Sequence, residues 1–368
     1  MTVNSKAPAA GAHMRLLCSS VDFGFGAAGK LSAILQHLPD ADLMFMQSRL
    51  GSSIGLRTDD RRVSEDADLG DVDAALVILD PELATRLTRR GIPVIYVDSL
   101  AHLWGTEDHI CTDVAAYCAQ QVAGMNVKGL LSLAEVRNLI EVEAIVPQQD
   151  PAGRGDGFAL VNVGGVHSPF SAETPSYCGL VLPSLVRMLQ DQGYQVRVIG
   201  NVDTQTAASF PAGVEAGPVR HSEVGRLLAE SSLLFTSPGL TTLLEAGAAG
   251  IPTVMLPPQN VSQVLNADKV TRGTQPHFAR TDWPPEHLDT SKVRALAKRS
   301  EMRALRYMYD RLESLAGRGD IAQIVAEDCL GRLPASADWL TDYANSVGTG
   351  GAAQVAQIVR QVAAGGDG

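Results

Sequence analysis

A strand, a tight turn and a helix near residue 240 form the segment of this sequence best suited to bind an anion. The apolar run Ser232–Ser237 predicts a strand, Pro238-Gly239 a turn, and Thr241-Thr242 the start of a short helix. The turn then lies at the carboxyl end of a parallel strand, where open α/β sheets bind ligands. Helix-start amides beside Gly239 suit a pyrophosphate. Glu245, about one turn further on, can accept hydrogen bonds from the two hydroxyls of a ribose.

An ordinary βαβ unit of a Rossmann-like domain is the alternative for this segment, and Glu245 would then be a solvated helix residue. Glu245 is, however, the only charged residue between Glu230 and Asp268. A lone carboxylate in so apolar a stretch needs a partner, because an unpaired buried charge is costly. The composition therefore favours a binding role for Glu245.

The whole stretch from 236 to 267 resembles the nucleotide-sugar site of GT-B glycosyltransferases, above all those of the MurG type. The resemblance rests on the small-residue helix with one glutamate, the turn Ala-Gly-Ile-Pro at 249–252, the loop Pro-Gln-Asn at 258–260 and the closing Gln263 and Asn266-Ala267. It implies transfer of a sugar; a single displacement with inversion is predicted, and retention, which also occurs in this fold, stays open. The implied donor contacts are the pyrophosphate on Gly239, Thr241 and Thr242, the ribose on Glu245, and the transferred sugar on Gln259, Asn260 and Gln263.

A glycine-rich loop after the first predicted strand matches two nucleotide-binding patterns incompletely. The run GFGAAGK at 24–30 fits the dinucleotide fingerprint G-x-G-x-x-G and comes near the P-loop. The P-loop lacks its Ser or Thr because Leu31 follows the lysine, and Gln-Ser-Arg at 47–49 replaces the acid of an NAD site. Arg49 leaves an NADP site open, and a purely structural turn is open as well. A glycine-rich loop shaped for acceptor and donor phosphate, as in MurG-type enzymes, is the favoured interpretation.

Two aspartates at strand ends are candidates for the general base that removes the acceptor proton. Asp22 follows the first strand and is the first candidate, with a turn or helix-cap role as its alternative. Asp98 ends the fourth strand and is the second candidate. His102 and Trp104 follow Asp98 closely and would line the same cleft, the histidine as a donor or base and the tryptophan as a stacking surface. A histidine in such a position is more often a satisfied loop residue than a catalyst, and that alternative stays open for His102.

Three runs in the first half are similar to the cytosylglucuronate and hydroxymethylcytosylglucuronate synthases of nucleoside-antibiotic biosynthesis. They are VDFGFGAAGKLSAIL at 21–35, QSRLG at 47–51 and VIYVDSLAHLW at 94–104. This resemblance implies UDP-glucuronate as the donor and cytosine or hydroxymethylcytosine as the acceptor. The implied acceptor-binding residues are Phe23, Gly24, Phe25, Gly26, Lys30 and Trp104, with the aromatic rings as stacking walls and Asp22 as the partner of the ring N–H.

Two further turns in the second half are predicted to contact the donor. Gly164-Gly165 ends a strand and begins a backbone-rich turn of the kind that touches a phosphate, and a structural turn is its alternative. Arg220, with His221, precedes a helix and can contact a uracil, a phosphate or a sugar carboxylate; a solvated pair fits equally well. A glucuronate carboxylate would need a cation such as Lys30, Arg49 or Arg220.

Composition limits the classes of partner. The 368 residues are 45% hydrophobic and 19% charged, which describes a globular chain long enough for two domains. A net charge of −11 argues against nucleic acid or an acidic membrane as the main partner. No apolar run reaches the ~18 residues of a membrane span, and the first 13 residues lack the apolar core of a signal peptide. The five scattered cysteines, without a CxxC pair, predict free buried thiols and a cytoplasmic protein.

No cofactor and no essential metal are predicted, only a UDP-sugar and a small acceptor, with oligomerisation left open. Three Asp-x-Asp triplets occur, at 40–42, 66–68 and 71–73. In glycosyltransferases of the other common fold such a triplet binds manganese, but here each flanks a strand start in a polar region and is expected to be solvated. GT-B enzymes stabilise the departing nucleotide with helix-end amides and hydroxyls instead.

The alternation of strands and helices predicts an α/β protein of two doubly wound, parallel-sheet domains facing a cleft, the GT-B architecture. Short strands are expected at 115–120 and 129–132, and one long polar helix over Ser291–Ala316. The predicted units are a disordered leader at 1–13, an acceptor-binding domain at 14–147, a linker at 148–157, a nucleotide-sugar-binding domain at 158–333, and C-terminal helices at 334–368 that cross back onto the first domain.

Three other functions remain open at this point. An NADP-dependent oxidoreductase would use the front glycine loop. A UDP-sugar epimerase of the two-domain type shares the GT-B architecture and needs no acceptor. A non-catalytic binding protein is the weakest alternative, because two strand-end ligand sites face one cleft.

Overall fold

The computed structural model of the chain describes residues 14–21, 25–46, 61–64, 69–70, 72–104, 107–147, 157–165, 177–271, 279–333 and 336–365. The predicted leader at 1–13 and most of the predicted linker, at 148–156, lie outside these ranges. So do Asp22, Phe23, Gly24, Arg49 and the residues that directly follow Gly165.

The first half of the chain forms one parallel sheet. Its seven strands within the described ranges are β1 (Arg15–Ser20), β2 (Asp42–Met46), β3 (Arg61–Val63), β4 (Ala74–Ile78), β5 (Val94–Asp98), β6 (Ala116–Gln120) and β7 (Leu139–Val142). They lie in the order β3-β2-β1-β4-β5-β6-β7. Every residue of β4 and β5 is buried, because elements on both faces cover these continuous apolar runs.

The second half forms a smaller parallel sheet. Its five strands within the described ranges are β8 (Ala159–Gly164), β9 (Val196–Gly200), β10 (Glu215–Gly217), β11 (Leu233–Thr236) and β12 (Thr253–Met255). They lie in the order β10-β9-β8-β11-β12. Both sheets therefore reverse their winding beside their first strand, between β1 and β4 and between β8 and β11. Such a reversal opens a crevice at the carboxyl ends of the strands.

Helices cover the two sheets. In the described ranges they are α1 (Phe25–Leu35), α2 (Pro81–Arg89), α3 (Tyr177–Asp191), α4 (Thr204–Ala208), α5 (His221–Glu230), α6 (Leu240–Ala249), α7 (Val261–Val270), α8 (Thr290–Ala297), α9 (Glu301–Glu313), α10 (Gly319–Gly331), α11 (Asp338–Val347) and α12 (Gly351–Ala363). Short 3₁₀ turns lie at Ala101–Leu103, Val127–Gly129 and Leu131–Leu133.

The last two helices divide between the two domains. α11 packs on α6 so closely that a Cβ on Gly247 would lie 2.4 Å from the carbonyl oxygen of Leu340. α12 crosses to the first domain, where Val355 and Val359 join the core cluster that contains Ile78. The predicted architecture of two doubly wound domains with a C-terminal crossing is confirmed, and the helix that crosses is α12.

Two local predictions were wrong. The segment 129–132 is not a strand but part of two 3₁₀ turns, because Val127, Leu130 and Leu133 recur at the three-residue period that suits such turns. The expected single helix over Ser291–Ala316 is broken between α8 and α9, where Ser300 is extended and begins the second helix. The uniformly polar sequence of this region conceals the break. The short strands β3 and β10 and the helix α10 were not predicted.

Two predictions from composition can be compared with this fold. All five cysteines are free and buried, as predicted. None of the helices in the described ranges has both the length and the apolar character needed to cross a bilayer.

Candidate functional site

The crevices of the two sheets open onto one shared cavity of about 240 Å³. Val21 after β1 and Leu79 after β4 line it from the first domain, and Gly164 in β8 and Ser237 after β11 line it from the second. Leu79 has φ 58°, the one non-glycine residue with positive φ in the described part of the chain. A bulky residue in this conformation is strained, and such strain is concentrated at functional sites.

Most of the residues predicted to bind donor or acceptor line this cavity. They are Phe25, Gly26, Lys30, Trp104, Gly164, Gly165, Gly239, Thr241, Thr242, Glu245, Gln259, Asn260 and Gln263. Pro238 is buried outside the lining, and Arg220 is exposed outside it. The structure thus brings together two sets of residues far apart in sequence, whereas the individual binding roles remain predictions.

The start of α6 points its backbone at the cavity. Gly239 is the N-cap residue and makes no side-chain capping bond, and Leu240, Thr241 and Thr242 form the first turn. The N–H groups of a first turn have no partner within their own helix and carry the positive end of its dipole. The predicted anion site therefore has the geometry it needs, although Thr241 and Thr242 lie inside the helix and the cap is Gly239.

Lys30 contributes a buried cation at the same point. It lies in α1 of the first domain, is 1% exposed, and its Nζ donates a hydrogen bond of 2.6 Å to Thr241 Oγ1. Burial lowers the pKa of Lys30 to about 8, and the nearby Glu245 opposes this shift. The sequence assigned Lys30 to the acceptor and also offered it as a cation for a donor carboxylate. The fold places its ammonium at the start of α6, where the donor pyrophosphate is predicted to bind.

The buried Glu245 carboxylate has a histidine as its neighbour. It is 2% exposed, and its Oε1 lies 3.1 Å from Nε2 of His221, the first residue of α5. The other ring nitrogen of His221 is buried without a partner among the described residues, and the side chain lines the cavity. Sequence reasoning considered Arg220 and His221 together and chose Arg220. The geometry favours His221, because Arg220 is the exposed N-cap residue of α5.

The front glycines allow the two domains to approach each other. Gly26 and Gly29 lie within α1, and a Cβ on Gly29 would come within 2.9 Å of His221 Nε2. A Cβ on Gly26 would lie 3.6 Å from Thr241 Oγ1. These two glycines thus face side chains of the second domain, which favours neither the P-loop nor the dinucleotide interpretation of the run.

The predicted sugar-binding loop lines the cavity but is tied into a network of its own. Gln259 Nε2 donates to the carbonyl oxygen of Val163 at 2.8 Å and to Ser237 Oγ at 3.0 Å. Gln263 Oε1 accepts from the Gln259 N–H at 2.9 Å. Asn260 is the N-cap residue of α7 and accepts from the Gln263 N–H at 3.0 Å. The loop is therefore a rigid wall in which much of the hydrogen-bonding capacity is already used.

Several residues that line the cavity were not among the sites predicted from the sequence. The polar ones include Asn162, His221, Ser237, Ser262, Asn266 and Glu301. Asn162 had a usable signal, because it is the one polar residue in the buried strand ALVNVG. Nothing in the sequence marked Glu301 as a cavity residue, because it lies among the charged residues of a segment that was predicted to be one long polar helix.

Comparisons with known proteins agree with this architecture. The sequence profile of a family described as CGA synthase-related protein matches residues 56–312. The chain belongs to this family. No curated protein sequence matches it.

Solved structures that are similar to this chain show the same fold. UGT89C1 of Arabidopsis thaliana, complexed with UDP, aligns with a TM-score of 0.57 and 12% identity over 95% of this chain and 100% of that one. A UDP-glucosyltransferase from Polygonum tinctorium capable of glucosylating indoxyl aligns with a TM-score of 0.50 and 12% identity over 96% and 99%. The fold is the GT-B fold of glycosyltransferases.

Asp98 is not among the residues that line the cavity but lies behind them. It is fully buried, and Oδ2 accepts from Trp104 Nε1 at 2.7 Å and from the Tyr117 hydroxyl at 2.5 Å. Oδ1 accepts from the Leu100 N–H at 2.8 Å. Burial raises the pKa of Asp98, and these three hydrogen bonds oppose the shift. The carboxylate is occupied in holding Trp104, which does line the cavity, so the geometry favours a positioning role over the predicted role as base.

His102 also lies outside the lining. Its Nε2 lies 3.3 Å from Oδ1 of Asn266, so it connects the first domain to α7 of the second. Burial lowers the pKa of His102 to about 4, which leaves the ring neutral and weakly basic near pH 7. The predicted catalytic role of His102 therefore has no support from geometry. Asp22, the remaining candidate, lies outside the described residues.

Asp98→Ala is expected to lower the free energy of unfolding by roughly 2–4 kcal/mol, because the buried Tyr117 hydroxyl and Trp104 N–H lose their acceptor. Denaturant unfolding of the purified protein measures this. Asp310→Ala, at an exposed position on α9, is the control and should change little. Unchanged stability combined with a large loss of turnover would instead restore Asp98 as the base.

No metal site is apparent in the described part of the chain. No group of three or more His, Cys, Asp or Glu side chains there is arranged to hold an ion. Of the Asp-x-Asp triplets, Asp40 and Asp42 are exposed, and Asp73 is exposed and accepts from the Arg15 N–H. The triplet at 66–68 lies outside the described residues, as does Asp71. Independence of metal stays a prediction.

Proposed function

We propose that this chain is a metal-independent UDP-sugar glycosyltransferase that transfers glucuronic acid from UDP-glucuronate to cytosine or hydroxymethylcytosine with inversion. One observation carries the proposal. The first turn of α6, the buried Lys30 ammonium and the buried Glu245 carboxylate meet in one cavity at the switch points of both sheets. A helix start and a cation suit a pyrophosphate, and a carboxylate suits a ribose.

The donor half of the mechanism follows from these three groups. The amides at the start of α6 and Lys30 bind the pyrophosphate, and Glu245 accepts from the ribose hydroxyls. Charge develops on the bridging phosphate oxygen as the bond to the sugar breaks, and positive groups already in place stabilise that charge without reorganisation. Lys30 thus supplies, from the first domain, the charge that a metal would otherwise supply.

The acceptor half uses the wall formed by Phe25 and Trp104. A planar base stacks there, with the indole of Trp104 fixed by Asp98. The acceptor nitrogen attacks the anomeric carbon from the face opposite the nucleotide, so the configuration inverts. The choice of cytosine and glucuronate is supported by the front-loop resemblance and by the description of the family.

Titration calorimetry in EDTA tests the donor site. We expect UDP to bind with micromolar affinity without metal, and NADPH not to bind. Binding of NADPH with no binding of UDP would move the active centre to the front loop and contradict the proposal. UDP-glucuronate with cytosine should then give UDP and a cytosine conjugate in equal amounts, whereas an epimerase would convert the donor without cytosine.

A further inference from the structure

A carboxylate without a cation partner in the described part of the chain lines the cavity. Glu301 is the first residue of α9, is only partly exposed, and shares the cavity with Trp104. Within the described residues, Glu245 and Glu301 are the two carboxylates of the cavity lining. Glu245 is engaged by His221 and lies near Lys30. Glu301 has no such partner among the described residues.

Two arginines close to Glu301 in sequence pair elsewhere. Arg299 and Arg303 both turn to Glu107 of the first domain, with N–O distances of 3.3 Å and 3.2 Å. The Glu107 N–H also donates to the carbonyl oxygen of Arg299 at 3.0 Å. The start of α9 is thus fixed to the loop that follows Trp104. Both arginines are thus paired with Glu107, and no cation in the described part of the chain is in ion-pair contact with Glu301.

An acid in the first turn of a helix often stabilises the helix dipole and nothing more. Such a residue keeps a low pKa and faces solvent. Burial and the charge of Asp108 instead raise the pKa of Glu301 to about 7. Burial and the charge of Glu301 in turn raise the pKa of Tyr309, on the same helix. The helix gains little from an acid that is half protonated near neutral pH, whereas a base works best when its pKa lies near the working pH.

We propose that Glu301 is the general base that removes the proton from the acceptor. This inference rests on the proposed function. The Glu301 carboxylate takes the proton from the acceptor N–H, and the nitrogen electron pair forms the bond to the anomeric carbon. The bond between that carbon and the β-phosphate oxygen breaks, and its electron pair leaves with UDP. Glu301 then releases the proton to solvent.

This assignment places the base in the second domain, whereas Asp22, the base predicted from the sequence, belongs to the first. The acceptor site would then be built from both domains, with Trp104 from the first and Glu301 from the second, because both line the same cavity.

Glu301→Gln tests the assignment because it keeps the shape and removes the basic oxygen. We expect kcat for UDP release from UDP-glucuronate with cytosine to fall by about 10²–10⁴-fold, while calorimetric affinity for UDP and the melting temperature stay unchanged. Glu301→Asp should recover part of the activity. Asp310→Asn, an exposed acid on the same helix, is the matched control and should behave as wild type.

The pH profile gives a readout that a structural role would not move. A base must be deprotonated, so wild-type kcat/KM should fall as pH drops through about 7, the pKa of Glu301. Glu301→Gln should lose this limb. A wild-type kcat in Glu301→Gln would overturn the assignment. So would a fall in kcat that is accompanied by a lower melting temperature and weaker UDP binding, because the substitution would then have damaged the structure. Absence of UDP binding to the wild-type protein would instead contradict the proposed function itself.

Discussion

Lys30→Met is expected to lower kcat by about 10²–10³-fold, the usual effect of removing one group that stabilises developing charge. Lys30 is the cation that meets Thr241 at the start of α6, where the pyrophosphate is proposed to bind. UDP affinity should also weaken, but less than kcat, because charge on the bridging oxygen grows as the bond breaks. Steady-state kinetics with UDP-glucuronate and cytosine, beside UDP calorimetry, separates the two effects.

The same variant should not lose stability. A buried ammonium is costly to desolvate, and methionine fills a similar volume without charge. Lys128→Met, at an exposed position far from the cavity, is the matched control and should keep wild-type kinetics. A Lys30→Met protein with normal kcat and a raised KM would show that Lys30 only binds substrate, as the acceptor assignment from sequence held.

The pKa of Lys30 adds an alkaline limit to the pH profile. Lys30 must be protonated to stabilise the leaving group, so kcat/KM should fall as pH rises through about 8. Lys30→Met should lose this limb. If Glu301 is the base, the wild-type kcat/KM plotted against pH should be a narrow bell, bounded by the pKa of Glu301 at about 7 and that of Lys30 at about 8.

Glu245→Ala is expected to weaken UDP binding by about 10- to 150-fold, because a hydrogen bond to a charged group contributes about 1.5–3 kcal/mol. His221 occupies one position on Oε1, and a carboxylate has about four acceptor positions, so a ribose can bind beside the histidine. Calorimetry with UDP and with uracil measures the loss; uracil lacks the ribose and pyrophosphate, so its weak affinity should not change.

A second effect follows from the charge of Glu245. Because Glu245 raises the pKa of Lys30, its removal should move the alkaline limb of kcat/KM to lower pH. Glu135→Ala, an exposed glutamate of the first domain, is the control for both measurements. Unchanged UDP affinity in Glu245→Ala would contradict the ribose assignment, and an unmoved limb would contradict the coupling to Lys30.

The sequence by itself determined the architecture and the donor segment. Two series of apolar runs alternating with helices can form only parallel sheets with covered faces, and α/β chains place ligands at the carboxyl ends of such strands. Pro238-Gly239 followed by a small-residue helix then fixes where the backbone turns toward a ligand. The isolation of Glu245 in an apolar stretch predicted a partner for its carboxylate. The structure shows His221 beside it, and the contact with a ribose stays a prediction. These features depend on neighbours close in sequence.

Tertiary structure decided which side chains share the cavity and which charges remain free. Lys30 and Thr241 are separated by 211 positions, and no local pattern shows that the closest approach of the two domains brings them together. Asp98 looked catalytic at a strand end, but packing turned it toward Trp104 and Tyr117, where burial and hydrogen bonds use its carboxylate. Glu301 looked solvated because charge in a sequence does not reveal where Arg299 and Arg303 point. How deeply a carboxylate is buried, and which groups pair with it, is decided only when segments distant in sequence come together. These two properties distinguish the carboxylates that hold the structure of this protein from those that are available for chemistry.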